Sequence, residues 1–161
     1  MRNETVRGGI VAGIIGATSV AVWFLLIDIA FGRPFHTPAA LGRAFFAMFG
    51  ASGGTALPYV FGYSVVHILA FIVAGLFVAL IVKFAEKEPT VLAGAMILFI
   101  VFEVAFHGML SMVRAFPVLG VVAWYNVAIG NLIAAVAMGT YMWRTHPLLK
   151  EELEYALESR E

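Results

Sequence analysis

The sequence predicts an all-α protein, a bundle of four membrane-spanning helices. Of its 161 residues 62% are hydrophobic, and only 12% are charged, against about 25% in a soluble domain. Its mean hydropathy is +0.96. It also contains charge-free runs that reach the roughly 20 apolar residues needed to cross a bilayer. These observations exclude an ordinary soluble domain, which needs more polar side chains to cover its surface.

The first span is predicted over about 8–31, with Asp28 as its only formal charge. Arg2 and Arg7 precede it, as basic residues precede a signal peptide. The apolar run is longer than that of a signal peptide, however, and no small-residue cleavage site follows it. We therefore expect this segment to be retained as a span.

The run over 44–82 carries no charge, yet it is too long for one span and too short for two spans with a loop. Pro58 divides it. The sequence therefore predicts a short interfacial or re-entrant segment over 44–57, with glycines in its later half, and a second span over 59–82.

The last two spans are predicted over 90–113 and 119–143, after a charged turn at 83–89. Their short connection, with Arg114 and Pro117, predicts antiparallel neighbours. Residues 1–143 thus form the predicted transmembrane bundle.

Residues 144–161 are predicted to form a cytoplasmic tail. In it Leu149, Leu153 and Leu157 repeat every four residues, which is typical of one face of an amphipathic helix. The opposite face is acidic, so a partner protein or the bundle's own loops suit it better than anionic lipid. The alternative is a frayed, solvent-exposed end.

The distribution of Lys and Arg predicts the orientation. Arg2, Arg7, Lys83, Lys87, Arg144, Lys150 and Arg160 fall on one side of the spans, and Arg33, Arg43 and Arg114 on the other. The positive-inside rule therefore puts both termini in the cytoplasm.

Small residues at four-residue spacing predict how the spans pack. They are Gly9, Gly13 and Ala17 in the first span, Gly75 and Ala79 in the second, and Ala135 and Gly139 in the fourth. Such faces allow close backbone approach within the chain or between subunits. We expect membrane lipid and either a second copy or a larger membrane complex as partners.

Several function classes are excluded by composition. The 10 Lys and Arg balance the 10 Asp and Glu, so there is no basic excess to bind a nucleic acid. The chain has no Cys, which excludes disulfides, thiolate metal sites and a catalytic thiol.

Four ionisable residues lie inside the predicted spans: Asp28, His67, Glu103 and His107. At about 1.5 Å per residue, all lie roughly 5 to 15 Å below the outer boundary. Such residues are costly in lipid and mark functional sites by default. The other polar residues expected to complete a pocket in this outer half are Tyr63, Ser64, Asn126, Asn131 and Arg114.

Three interpretations of this pocket are open. In the first, Glu103 pairs with His107 and Asp28 with Arg33, and the protein is a non-enzymatic accessory or scaffold component. In the second, His67 and His107 bind a b-type haem. A single iron, copper or zinc ion, held by His67, Glu103, His107 and Asp28, is the metal variant of this interpretation.

The third interpretation is proton or cation transport by an oligomer, in which Glu103 and His107 exchange the ion. A hydrolase built on Ser64 and His67 has less support, since no nucleophile elbow or oxyanion hole accompanies them. His36 and His146 are expected to face solvent near the span ends.

The stretch Gly16-Ala-Thr-Ser-Val-Ala-Val-Trp-Phe-Leu-Leu-Ile-Asp28, followed by Gly32-Arg-Pro and Thr37-Pro-Ala, resembles uncharacterised small four-span bacterial inner-membrane proteins. The likeness extends to Val-Val-His67, Phe-Glu103 and Gly130-Asn131. It implies a compact bundle in a bacterial inner membrane and carries no activity with it.

Overall fold

The computed structural model describes residues 2–51, 53–88, 90–112 and 124–146, and in these ranges the protein is all-α, without a strand. The predicted fold class is confirmed at that level. The helices are α1 (Arg2–Ala30), α2 (His36–Ala47), α3 (Ala56–Ala85), α4 (Thr90–Met112) and α5 (Trp124–Thr145).

Two of the described helices, α1 and α3, are long and apolar enough to cross a membrane by length and composition, whereas the sequence predicts four spans. In α4 the apolar stretch that meets the composition test is the shorter segment Thr90–Val101. In α5 the amides of Asn126 and Asn131 lower the mean hydropathy.

The α1 and α3 helices pack antiparallel through glycines. A methyl group on Gly75 would overlap the carbonyl oxygen of Gly9, and one on Gly13 would overlap that of Phe71. The backbones are therefore in direct contact, which is how membrane helices associate through small residues. The predicted small-residue faces of the first two spans thus meet each other within the chain.

The core lies where α1, α3 and α5 meet. Its buried side chains are Ala12, Ala79, Val82, Ala85, Met138 and Met142. The predicted face of α5 with Ala135 and Gly139 is exposed, and nothing described lies within 4 Å of a methyl group placed on Gly139. Neighbouring positions of α5 that carry the larger methionines fill the core instead.

The segment predicted over 44–57 is divided differently in the structure. Helix α2 begins at His36 and ends at Ala47, and α3 begins at Ala56, before Pro58. Proline fits there because the first-turn N–H groups of a helix have no intrahelical acceptor. The chain between the helices turns through Gly50, Gly53 and Gly54, all at positive φ.

Candidate functional site

The Asp28 carboxylate holds the start of α2. After α1 ends, the chain reverses through Gly32 at φ +66° and Phe35 at φ 63° and enters α2 at His36. Oδ2 of Asp28 then accepts a hydrogen bond from the Thr37 backbone N–H at 2.8 Å, and Oδ1 accepts one from the Thr37 hydroxyl at 2.7 Å. A carboxylate at a helix N-terminus satisfies an unpaired N–H and meets the positive end of the helix dipole.

The partner of Asp28 is therefore Thr37, whereas the first interpretation of the sequence pairs Asp28 with Arg33. Asp28 is only 5% exposed, and Thr37 is buried beside it at 6%. Arg33 lies in the exposed turn, and its one hydrogen bond as a donor to the described residues runs from its backbone N–H to the Asp28 carbonyl oxygen at 2.8 Å. The turn brings α2 onto the carboxylate and leaves the guanidinium outside.

Helix α3 contributes three polar residues on nearby turns: Tyr63, Ser64 and His67. Nε2 of His67 lies 3.2 Å from the Ala17 carbonyl oxygen. Because a carbonyl oxygen only accepts, Nε2 carries the proton and donates it. The imidazole also stacks on the Tyr63 ring, with centroids 5.9 Å apart and an interplanar angle of 27°.

A cavity of about 350 Å³ lies among α1, α2 and α3. It brings together the predicted site residues Asp28, Tyr63, Ser64 and His67, although most of its wall is apolar. This volume is at the lower end of small-molecule sites, which run from about 300 to 1,000 Å³. The cavity begins where the glycine contact between α1 and α3 ends. There the His67 side chain of α3 reaches across to the Ala17 backbone of α1.

The cavity opens to the outside of the helices. Val22 and Ile68 line it, and they are 49% and 44% exposed. A molecule approaching the flank of the bundle therefore reaches the polar wall without passing through the core.

The other predicted polar residues lie elsewhere. Nδ2 of Asn131 donates to Oε1 of Glu103 at 2.5 Å and so joins α5 to α4. Asn126 contributes its backbone carbonyl oxygen, which accepts from Nε1 of Trp23 at 2.9 Å. Neither Glu103 nor the two asparagines line the cavity.

The cofactor interpretations depend on His67 and on His107. His67 uses Nε2 as a donor, so Nε2 offers no lone pair to a metal, whereas Nδ1 of the same neutral ring keeps one. Among the described side chains, no three His, Asp or Glu residues gather into a group able to hold a metal ion. The His107 side chain and Arg114 lie outside the described residues, so the His67–His107 pair stays a prediction.

His36 is half-buried. Its Nε2 atom is buried and has no hydrogen-bond partner among the described residues. His146 lies at the end of α5, where its Nδ1 is 3.1 Å from the Met142 carbonyl oxygen.

Sequence reasoning missed Thr37, Phe24 and Phe35 as parts of the cavity wall. One signal could have found Thr37. In Thr37-Pro38, a residue type typical of helix caps precedes a proline, which is common at helix starts. The aromatic residues carry no comparable signal, since apolar residues occur throughout the chain.

No protein-family model, curated protein or solved structure matches the chain. The function of the cavity is therefore inferred from its own residues.

Proposed function

We propose that the protein is a non-enzymatic accessory component of a bacterial inner membrane, with α1, α3, α4 and α5 as spans and both termini cytoplasmic. Its functional site is the cavity among α1, α2 and α3, which binds a small molecule taken from the lipid. The observation that carries the proposal is this cavity, because its mostly apolar wall brings together four polar residues: Asp28, Tyr63, Ser64 and His67.

Exposed apolar surface supports the membrane location. Only 28% of the most apolar stretch of α1 and 17% of that of α3 are buried inside the protein. Leu26, Phe61 and Phe77 are 58%, 71% and 63% exposed. A core helix of a soluble protein would be mostly buried, and large exposed apolar patches mark contact with membrane or protein. Lipid is the contact that covers such a surface along two whole helices.

The charge distribution supports the orientation. Lys83 lies in the last turn of α3, Lys87 in the turn between α3 and α4, and Arg144 in the last turn of α5. With these residues in the cytoplasm, α2 and the cavity lie in the outer half of the bilayer.

The polar geometry supports binding without catalysis. A hydrolase would need the Ser64 hydroxyl to donate to a base such as His67. Instead, Ser64 Oγ donates to the Val60 carbonyl oxygen at 2.8 Å, and His67 donates to Ala17. Neither residue activates the other.

The topology is tested with single cysteines, since the chain has none of its own. Phe49→Cys and Arg114→Cys should react with a membrane-impermeant maleimide in spheroplasts. Lys87→Cys and Arg144→Cys should react only in inverted vesicles. Labelling of Arg114→Cys from the cytoplasmic side would contradict four spans.

The binding site is tested by the molecules that co-purify with the protein. Ala21 lines the cavity and is exposed, so Ala21→Phe should fill the space without removing a polar group. Ala135→Phe is the matched control on the exposed face of α5. Mass spectrometry of extracts should show a small molecule that the wild type and control retain and Ala21→Phe lacks. Equal extracts from all three would overturn the proposed site.

A further inference from the structure

The cavity wall offers hydrogen-bond acceptors to a ligand, but nearly all its side-chain donors are already bonded to oxygen atoms of the protein. The Thr18 and Ser64 hydroxyls donate to the carbonyl oxygens of Ile14 and Val60 in their own helices. Thr37 donates twice to Asp28, and His67 donates to Ala17. Only the Tyr63 hydroxyl donates to no other residue in the described ranges. A ligand that needs several donors from the wall is therefore poorly served.

Asp28 gives the cavity a negative charge. A carboxylate has about four lone-pair sites, and the hydrogen bonds from Thr37 use two of them. No Lys, Arg or His in the described part of the chain forms an ion pair with it. The positive end of the α2 dipole compensates part of the Asp28 charge, and the remaining negative charge can attract a cation.

The rest of the wall suits the body of an amphipathic cation. Phe24, Phe35 and Tyr63 line the cavity together with aliphatic side chains such as Leu41. Aromatic faces attract cations through their quadrupole, and the attraction grows when water is excluded. The cavity therefore discriminates against anions, because of its carboxylate and aromatic faces. It also discriminates against acceptor-only molecules, because its wall offers acceptor atoms.

We propose that the cavity binds an amphipathic organic ammonium ion, with its N–H groups toward Asp28 and its apolar body among Phe24, Phe35 and Leu41. The proposal rests on the proposed function of the cavity as a ligand site and names the ligand class. The cation reaches the site from the bilayer through the opening beside Val22 and Ile68.

Three probes with the same chain and different head groups test the charge. Decylamine, which is protonated at neutral pH, is compared with decanol and decanoate in phosphatidylcholine nanodiscs. Empty nanodiscs of the same zwitterionic lipid correct for partitioning. Decylammonium should bind saturably and about tenfold or more tightly than decanol, because a charge-assisted hydrogen bond to Asp28 adds to its affinity. Decanoate should bind weakest, because Asp28 repels it.

Two variants and a control locate the binding. Ala21→Phe should abolish decylammonium binding, and Ala135→Phe should leave it unchanged. Asp28→Asn keeps the shape and one acceptor oxygen, and it should lower the preference for decylammonium over decanol to about onefold. If Asp28→Asn does not fold, the affinities of the three probes for the wild type, together with their loss in Ala21→Phe, still test the proposal.

The failures of the two proposals are distinguishable. If decanol or decanoate binds as tightly as decylammonium and Ala21→Phe abolishes that binding, the ammonium proposal is wrong and the cavity remains a ligand site. If no probe binds saturably and extracts of wild type and Ala21→Phe are the same, both proposals are overturned. Decylammonium binding that survives Ala21→Phe would also overturn the ammonium proposal, since the site would lie elsewhere.

Discussion

Asp28 and Thr37 are joined by two hydrogen bonds, at 2.8 Å to the backbone N–H and 2.7 Å to the hydroxyl. The pair fixes the start of α2 to the end of α1, and both residues are buried. It therefore positions one wall of the cavity and also holds the carboxylate in place. Both residues line the cavity.

Thr37→Val removes the side-chain bond and keeps the volume of the residue. We expect the free energy of unfolding to fall by about 1.5–3 kcal/mol, the cost of losing a hydrogen bond to a charged group. Thermal unfolding in detergent measures it. Thr140→Val is the control, because that exposed hydroxyl donates only to the Val136 carbonyl oxygen of its own helix. Equal losses in both variants would show that the contact with Asp28 contributes nothing.

Gly75→Ala should separate α1 from α3. The new methyl group would overlap the Gly9 carbonyl oxygen, and the backbones would have to move apart. Overpacking of this kind costs about 1–3 kcal/mol. Gly139→Ala is the matched control, with open space around it in the described structure, and helix propensity favours it by up to about 1 kcal/mol.

The readout for the glycine variants is thermal unfolding together with the oligomeric state in detergent. A stable Gly75→Ala protein would contradict the contact between α1 and α3. Dissociation of an oligomer by Gly139→Ala would instead assign the exposed face of α5 to a second copy.

The sequence predicts best those features that depend on residue type and spacing alone. Gly9, Gly13 and Gly75 were identifiable because small residues recur on one helix face, and Asp28 and His67 because they interrupt apolar runs. Their partners were not identifiable. Ala17 contributes a backbone carbonyl oxygen, which every residue has, so no pattern predicts that it accepts from His67.

The choice of Arg33 as the partner of Asp28 shows a second limit. Opposite charges five residues apart suggest a pair, yet a turn through Phe35 at φ 63° points α2 at the carboxylate instead. A phenylalanine in this conformation has no local signal, because left-handed turns favour Gly, Asn and Asp. Tertiary packing therefore decides the contact.

Phe35→Asn should stabilise the protein. Phe35 occupies the left-handed region, which costs roughly 1 kcal/mol for a bulky residue and less for asparagine. The matched control is Phe31→Asn, which also removes an exposed aromatic ring, at a position whose φ is not positive. The difference between the two melting temperatures isolates the backbone effect. A Phe35→Asn variant no more stable than Phe31→Asn would show that the turn is not strained.

The protein purified in mild detergent, after expression with haem and metals available, should show no Soret band. The reason is that Nε2 of His67 donates to the Ala17 carbonyl oxygen, so only Nδ1, the ring nitrogen nearer the helix backbone, keeps a lone pair for a ligand bond. An absorption spectrum with elemental analysis tests this. A Soret band or near-stoichiometric iron that disappears in His67→Ala would contradict this expectation and support the cofactor interpretation. His146→Ala is the control for nonspecific metal binding at a histidine outside the cavity.

Asn131→Leu should destabilise the contact between α4 and α5. Asn131 donates to Oε1 of Glu103, and removing the donor leaves that carboxylate oxygen without this bond, at a cost of about 1–3 kcal/mol. Asn126→Leu is the matched control, because Trp23 binds the backbone carbonyl oxygen of Asn126, which leucine retains. Thermal unfolding compares them, and an equal loss would show that the Asn131 amide is not a specific partner.

Glu103→Gln then separates a structural carboxyl group from a transporting one. Glutamine keeps an oxygen that accepts from Asn131, so stability should stay within about 1 kcal/mol of the wild type. It cannot exchange a proton or hold a cation by charge. If Glu103 only joins the two helices, liposomes with wild type and Glu103→Gln should show the same background flux at every pH. A pH-dependent flux that the wild type has and Glu103→Gln lacks would establish transport and place its site at α4 and α5, away from the cavity.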